Sequence, residues 1–311
     1  MRGYIFRIGE NEPILVKSAD QNSEEVVSIF AESFELNIEE IQDGTVKTIK
    51  VHSHTEDKRF PDYSEICKKS GIGEIKVKLD PEKLFRLKPR ESKEIKNQTE
   101  AEDYLSKEEW MWRQLSRLSA VLGSCFFNHG GFVIHSGLVE FFDGAVGDRR
   151  GVLLGGASGS GKSTASAMLF SPWSSLSDDL TLVVKNSKTG YSAHPFPTWS
   201  RILWKEDKIK FKTVKFNNPI PVNSVILIDR NSAHSIKKIG KGEALCLLTE
   251  LVKQANEHLV CEMERESIAQ FNLKYFMNVK NFVTYINCYS YDLKIDETFW
   301  KDVENMPEIF C

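Results

Sequence analysis

Several absences bound this 311-residue chain before any motif does. No apolar run approaches the ~20 residues needed to cross a bilayer. The opening MRGYIFRIGENEPILV has no long apolar stretch of the kind a secretory signal carries, so no signal peptide is expected. Charge of one sign is missing too: 41 Lys and Arg stand against 44 Asp and Glu, a formal net charge of −3. Overall charge thus supplies no attraction to nucleic acid or to a membrane surface, and neither is expected as a partner. The six cysteines (Cys67, Cys125, Cys246, Cys261, Cys288 and Cys311) are scattered and form no C-x-x-C pair. That argues against zinc and against a disulfide framework. It suits buried thiols in a reducing compartment, and a cytoplasmic location is expected. No internal repeat is visible. What remains is a globular composition, 41% hydrophobic and 27% charged, in a chain long enough for two domains.

The stretch that carries chemistry is VLLGGASGSGKST, residues 152–164. A short apolar run, Val152-Leu153-Leu154, predicts a buried strand. A glycine-rich loop follows, and then Ala165-Ser166-Ala167-Met168-Leu169-Phe170 predicts a helix. From Gly156 to Ser163 the residues fit G-x-x-x-x-G-K-[ST], the P-loop. A triphosphate carries several negative charges, and consecutive backbone N–H groups leading into a helix bind such charge well. The expected cradle for ATP is Gly156, Ala157, Ser158, Gly159, Ser160, Gly161, Lys162, Ser163 and Thr164. In it Lys162 reaches the β- and γ-phosphates and the Ser163 hydroxyl holds Mg²⁺.

Elsewhere the pattern predicts elements but little chemistry. Tyr4-Ile5-Phe6-Arg7-Ile8 and Ile14-Leu15-Val16, around Gly9-Glu10-Asn11, predict a hairpin. Residues 23–34 predict a helix burying Val26, Val27, Ile29, Phe30 and Phe34; residues 46–51 and 74–79 predict strands, and 92–103 an exposed connection. Nothing in residues 1–100 specifies chemistry. Residues 108–127 form the strongest helix of the first half, with Trp112, Leu115, Leu118 and Leu122 at core spacing. Residues 132–142 predict one strand, 143–150 a polar turn, 222–229 an apolar strand, 283–286 a last strand, and Phe299-Trp300 the start of a closing helix. Leu245 to Leu248 with Leu251 and Val252 predict a helix after Gly242-Glu243, and residues 271–277 continue helical.

Three further features bear on a site. His135 lies on the strand ahead of the glycine loop; a histidine among apolar residues is ordinarily structural, but this position gives it a second reading. Residues 174–184 end a connection and begin a strand, and Asp178-Asp179 stand at that strand's edge, where paired carboxylates can hold a metal and take a proton from an incoming hydroxyl. Residues 190–201, GYSAHPFPTWSR, hold two of the ten prolines with His194, Phe196, Trp199 and Arg201. Such a stretch is not helical. It either shapes a substrate pocket, with Arg201 as its cation, or packs as a surface loop. The lysines of 205–215 alternate with acids and predict a solvated face.

In order and spacing these pieces resemble the catalytic domain of HPr kinase/phosphorylase, a P-loop fold related to phosphoenolpyruvate carboxykinase (PEPCK). The carrying residues are His135-Ser136-Gly137-Leu138-Val139, Gly156 to Ser163, and Leu176-Ser177-Asp178-Asp179. Val225-Ile226-Leu227-Ile228 with Arg230, Gly242-Glu243-Ala244 with Leu248, and Phe299-Trp300 support them. The resemblance covers roughly residues 125–305. It implies that His135 lies in the active site, that Asp178 is the base on the acceptor hydroxyl, and that Asp179 sits beside the metal. The family's Glu-x-Arg element, used for metal binding and the phosphorylase reaction, has no glutamate here; Arg201 alone is a partial counterpart. The P-loop together with HPFPTWSR is similar to divergent HPr-kinase-like proteins of peptide-modification cassettes, among them lasso-peptide kinases and the SynChlorMet cassette protein.

The expected fold is thus α/β, a mixed sheet with an HPr kinase/PEPCK-like P-loop over residues 106–311, preceded by a smaller α+β domain over 1–105. The expected activity is an ATP- and Mg²⁺-dependent kinase acting on a hydroxyl, foremost Ser or Thr of a peptide or small protein. Its catalytic residues are Asp178, His135, Lys162 and Arg201, and its metal ligands Ser163 and Asp179. A kinase of a small metabolite, or an ATP-sensing module without transfer, are the alternatives; oligomerisation is left open.

Overall fold

The computed structural model describes residues 2–8, 13–40, 46–52, 74–79, 107–144, 147–198, 203–205, 208–210, 213–229, 235–260, 263, 265–292 and 298–309. The turn expected at 9–11, the connection expected at 92–103, and Arg201 and Arg230 lie outside them. The chain is mixed α/β with two mixed sheets and a separate two-stranded ribbon.

The first sheet is built from β1 (Arg2–Phe6), β2 (Ile14–Ser18), β3 (Ile38–Glu40), β4 (Lys47–His52) and β5 (Glu74–Lys78), with helix α1 (Gln21–Ser33) after β2. Its order is β3-β1-β2-β4-β5. The predicted hairpin is present, with Tyr4 facing Val16 and Ile5 facing Leu15. Helix α1 starts where Asp20 accepts a hydrogen bond from the Ser23 amide at 2.9 Å, one arm of a capping box. Val26, Val27, Ile29, Phe30 and Phe34 are buried, as their spacing predicts. Strand β3 carries no sequence signal: three residues are too few for a period.

The rest runs α2 (Lys107–Ser124), β6 (Phe132–His135), β7 (Gly137–Asp143), β8 (Asp148–Gly155), α3 (Lys162–Ala167), β9 (Trp173–Ser177), β10 (Leu180–Asn186), β11 (Gly190–Pro195), β12 (Leu203–Lys205), β13 (Lys208–Lys210), β14 (Ile220–Asp229), β15 (Ser235–Lys238), α4 (Lys241–Ala255), α5 (Glu257–Val260), α6 (Arg265–Tyr285), β16 (Asn287–Asp292) and α7 (Phe299–Glu304). Nine of these strands form the second sheet along β6-β10-β11-β14-β8-β7-β9, with β16 against β14 and β15. Strand β14 runs parallel to β8 and β16; the other pairings are antiparallel.

Strands β8 and β14 are buried on both faces, so they read as continuous apolar runs rather than alternating ones. Leu153, Val225 and Leu227 point into one core with Leu248, Leu251, Val279 and Phe282 of α4 and α6. Val152, Leu154, Ile226 and Ile228 point into the other, with Ala165, Trp173, Tyr291 and Trp300. The first core does not stop at the sheet. It continues through Phe196 and Phe216 into Phe6, Phe30 and Phe34 of the N-terminal sheet unit.

Five expectations are corrected. The strand expected over 132–142 is interrupted at Ser136 and becomes β6 and β7. The turn expected over 143–150 is shorter, because β7 and β8 extend until Asp143 faces Asp148. Residues 174–177 are strand β9 rather than a connection. The first half of GYSAHPFPTWSR is strand β11, paired with β10 from Gly190–Asn186 to Pro195–Thr181, and Pro195 is tolerated as its last residue. Residues 283–285 end helix α6, Ile286 is a bend, and the strand comes after it. Phe271, Tyr275, Val279 and Phe282 bury one helical stripe there, and that packing overrides the local strand propensity of Val283-Thr284-Tyr285-Ile286. Of the described cysteines, Cys125 and Cys288 are buried thiols as expected, whereas Cys246 is exposed. Among the described residues no helix is long and apolar enough to cross a membrane.

His194 belongs to this core. It is 1% exposed, and its Nδ1 lies 2.9 Å from the Phe216 carbonyl. A carbonyl only accepts, so Nδ1 carries the proton. Burial pushes the imidazole down to about 4. The unfolded chain therefore binds a proton near pH 6.5 that the folded chain refuses until about pH 4, and stability falls as pH drops through that window. From this group alone the expected loss between pH 7 and 5 is ~2 kcal/mol. His194→Asn keeps a donor near Nδ1 and removes the titration. Urea unfolding at both pH values should show the smaller difference for the variant; equal differences would contradict this account of His194.

Candidate active site

The site lies where two chain runs are interrupted opposite each other. His135 at the end of β6 faces Leu180 at the start of β10; Leu138 in β7 faces Ser177 at the end of β9. The register therefore carries straight across the gap, and Ser136-Gly137 on one run lie against Asp178-Asp179 on the other. The gap is held from inside the sheet. The Thr181 hydroxyl donates to the Ser136 carbonyl at 3.1 Å and lies 3.2 Å from the Ser177 hydroxyl. A Cβ on Gly137 would sit 3.3 Å from the Ser177 carbonyl oxygen and 3.6 Å from Asp178 Cα, so a glycine lets the two runs close up. The pair Asp178-Asp179 thus leaves the ladder and turns its side chains out.

The glycine loop faces this gap from the end of β8. Gly156 has φ 144°, and a Cβ there would lie 2.5 Å from the Ile228 carbonyl oxygen and 2.6 Å from Ser160 Oγ. No L side chain fits that backbone or that space. Gly159, at φ 75°, projects into open space. The Ser160 amide closes a turn on the Ala157 carbonyl at 3.0 Å, and the Ala165 amide bonds the Gly161 carbonyl at 2.8 Å. Helix α3 then runs only to Ala167, shorter than the expected continuation to residue 170.

Together these parts enclose a cleft of about 230 Å³. His135, Asp178 and Asp179 line it from the interrupted runs, and Ser158, Gly159, Gly161, Lys162, Ser163 and Thr164 from the loop. Ser163 and Thr164 are exposed to it; Lys162 is buried and Ser160 is tucked beneath. Of the expected cradle, Gly156, Ala157 and Ser160 do not line the cleft. Lys162 Nζ donates to the carbonyls of Gly156 at 2.7 Å and Ala157 at 3.1 Å, so the side chain folds back along its own loop. Burial lowers its pKa, and the Asp179 carboxylate opposes that. His135 Nδ1 lies 3.5 Å from Asp179 Oδ1. Burial and then the Lys162 charge lower the imidazole, against Asp179, which favours its proton. His135 is therefore a neutral partner of Asp179 at neutral pH.

The described part of GYSAHPFPTWSR is not a surface loop: Gly190–Pro195 is a buried strand, and His194 and Phe196 face the core. Arg201 lies outside the described residues. One site contact was not legible beforehand: Thr198 Oγ1 donates a short hydrogen bond to Asp178 Oδ1. The stretch drew notice for its cation and its rings, and nothing local marks the hydroxyl, whose partner lies 20 residues away.

Among the described residues no three His, Cys, Asp or Glu side chains gather with metal-binding geometry. Mg²⁺ does not need such a cage. It keeps several waters and takes one or two carboxylates plus phosphate oxygens, and Ser163 and Asp179 present a hydroxyl and a carboxylate to the same cleft. The donor set fits that ion.

Residues 101–308 match the family model of the SynChlorMet cassette protein ScmC. The chain belongs to the ScmC family. The matched span holds every residue of the cleft and begins after the N-terminal sheet. No curated protein matches the chain.

The loop geometry separates two glycines. Gly156→Ala should cost ~3 kcal/mol or more, combining a forbidden backbone region with overlap against the β14 backbone. Gly159→Ala, left-handed but unobstructed, should cost ~1 kcal/mol. Thermal unfolding of both variants checks this, and an equal loss would contradict the close approach at Gly156.

Proposed function

We propose that this ScmC-family protein is an ATP- and Mg²⁺-dependent kinase of the HPr kinase/PEPCK-like P-loop type, transferring a γ-phosphoryl group to a hydroxyl. The observation that supports it most is convergence: Lys162 and Ser163 from the loop, Asp178 and Asp179 from one interrupted run, and His135 from the other line one cleft. A phosphate-binding loop needs exposed amides and a cation, and a transfer site needs a base as well. In this reading residues 1–105 form a separate unit and 106–311 the catalytic one.

The loop amides and Lys162 hold the triphosphate; Lys162 exchanges its two loop carbonyls for phosphate oxygens. Ser163 and Asp179 hold Mg²⁺, which neutralises charge on the phosphates when bound. His135, neutral beside Asp179, orients that carboxylate. Asp178 takes the proton of the acceptor hydroxyl as its oxygen bonds to the γ-phosphorus and the bond to the β,γ-bridging oxygen breaks, leaving ADP and a phosphate ester. Catalysis then rests on positioning and charge neutralisation. The acceptor class, a peptide or small protein, draws on the cassette resemblance. A metabolite kinase takes the same chemistry, and an ATP sensor takes the loop without the base.

Two experiments test this reading. Lys162→Ala should abolish MgATP binding in calorimetry while the protein stays folded; undiminished affinity would refute the phosphate role. Asp178→Asn keeps shape and removes the base, so it should bind MgATP normally and lower transfer by ~10²-fold or more. Candidate Ser/Thr peptides with labelled ATP provide the assay, run in both directions. With the glutamate of the Glu-x-Arg element absent, added inorganic phosphate should not strip the phosphopeptide. MgATP binding without transfer to any acceptor would favour the sensor.

A further inference from the structure

The position of Thr198 gives the N-terminal unit a part in the transfer step. We propose that Thr198 is a positioning residue for Asp178, and that its own position is set from the N-terminal unit through Phe34 and Phe196. The inference rests on the kinase reading above, with Asp178 as base.

Asp178 sits in the two-residue gap between β9 and β10, outside both ladders. No strand pairing fixes its backbone, so its carboxylate needs another restraint to face an acceptor. Thr198 supplies one: its hydroxyl donates to Oδ1. A carboxylate only accepts, so this donor fixes the direction in which the Asp178 side chain points. Threonine suits this task because its branched Cβ limits χ1.

Thr198 is held in turn by what precedes it. The Phe196 amide donates to the Leu180 carbonyl at 3.1 Å, which hooks the chain over the start of β10, one residue past Asp179. Pro195 and Pro197 flank Phe196 and fix φ on both sides, so little torsional freedom separates the Phe196 ring from Thr198. That ring is fully buried and meets Phe34 edge-on at 5.4 Å and Phe216 at 5.6 Å. Phe34, the residue that ends α1, also meets Phe216 at 5.1 Å, and Phe6 of β1 meets Phe216 at 5.5 Å. The Val214 amide donates to the Ser33 carbonyl at 2.9 Å, and the Thr213 hydroxyl to the Glu35 carboxylate at 2.8 Å. The end of α1 therefore grips the 213–216 segment, and the Phe196 ring packs against both Phe34 and Phe216 of that assembly. Moving the N-terminal unit moves Phe196, and Phe196 moves the hydroxyl on the base.

The test uses the full chain with MgATP and follows its consumption with water as acceptor, together with MgATP affinity by calorimetry. Thr198→Val should lower kcat by ~10-fold or more, the worth of a hydrogen bond to a charged group. It should leave MgATP affinity unchanged, and Thr198→Ser should recover most of the rate. Phe34→Leu should lower kcat in the same way without weakening MgATP. A merely structural Thr198 would lower stability and spare kcat. Undiminished kcat in Thr198→Val, where Asp178→Asn loses it, overturns the proposal. A wild-type protein that binds MgATP and never consumes it overturns the kinase reading and this role with it. The two failures are told apart by a double-mutant cycle of Thr198→Val and Asp178→Ala in urea unfolding, since alanine removes the accepting oxygen that asparagine would keep. Coupling without turnover condemns the kinase reading, and absence of coupling condemns the contact.

Discussion

The paired interruption of the sheet is the constraint from which the site follows. Two antiparallel runs keep one register, His135 against Leu180 and Leu138 against Ser177, yet neither continues its ladder through the middle. A ladder that continued would turn Asp178 and Asp179 into ordinary strand residues, alternately in the core and on a paired surface. The interruption frees both to face one gap. Thr181 bonds the Ser136 carbonyl from beneath, so the gap keeps its shape without a ligand. The glycine loop then needs only to reach it, and the parallel pairing of β8 with β14 fixes where the loop begins.

That loop is confined more tightly than its composition suggests. Gly156 passes so close to the Ile228 carbonyl that no side chain fits, which sets the loop's height above β14. Lys162 is buried and bonds its own loop. A buried ammonium costs several kcal/mol unless hydrogen-bonded, and the two carbonyls together with the nearby Asp179 offset that cost. His135 is kept neutral by burial and by Lys162. Positive charge is thus concentrated on Lys162 and negative charge on the Asp pair, the polarity that an anion with a bound cation requires.

Aromatic packing joins the N-terminal sheet unit to this arrangement. Phe6, Phe34, Phe196 and Phe216 form one set of tilted and edge-on rings, each fully or almost fully buried. Burying such rings contributes ~1.5–3 kcal/mol apiece. The matched family span covers residues 101–308, so this contact joins the matched span to residues that precede it.

The local features were legible in the sequence. The loop, Lys162 and Ser163 are specified by contiguous residues whose spacing reflects backbone geometry. The burial of Val26, Phe30 and Leu118 follows from helical period alone. The strands β8 and β14 announce themselves as apolar runs because both faces are buried. The interruption at Ser136 was not legible, since Phe132 to Phe142 is equally apolar on either side of it. Nor was the strand character of Gly190–Pro195, which with Pro197 and the rings of the stretch reads as a loop until β10 supplies a partner. Residues 283–286 were misread because a short β-branched run looks the same at a helix end and in a strand. Thr198 stayed hidden because its partner is distant in the chain. Sequence alone determined the glycine loop and the polar residues that it carries, since both are local. Only tertiary structure decided which of them meet and what holds Asp178 in place, since those depend on pairings between segments that no local period records.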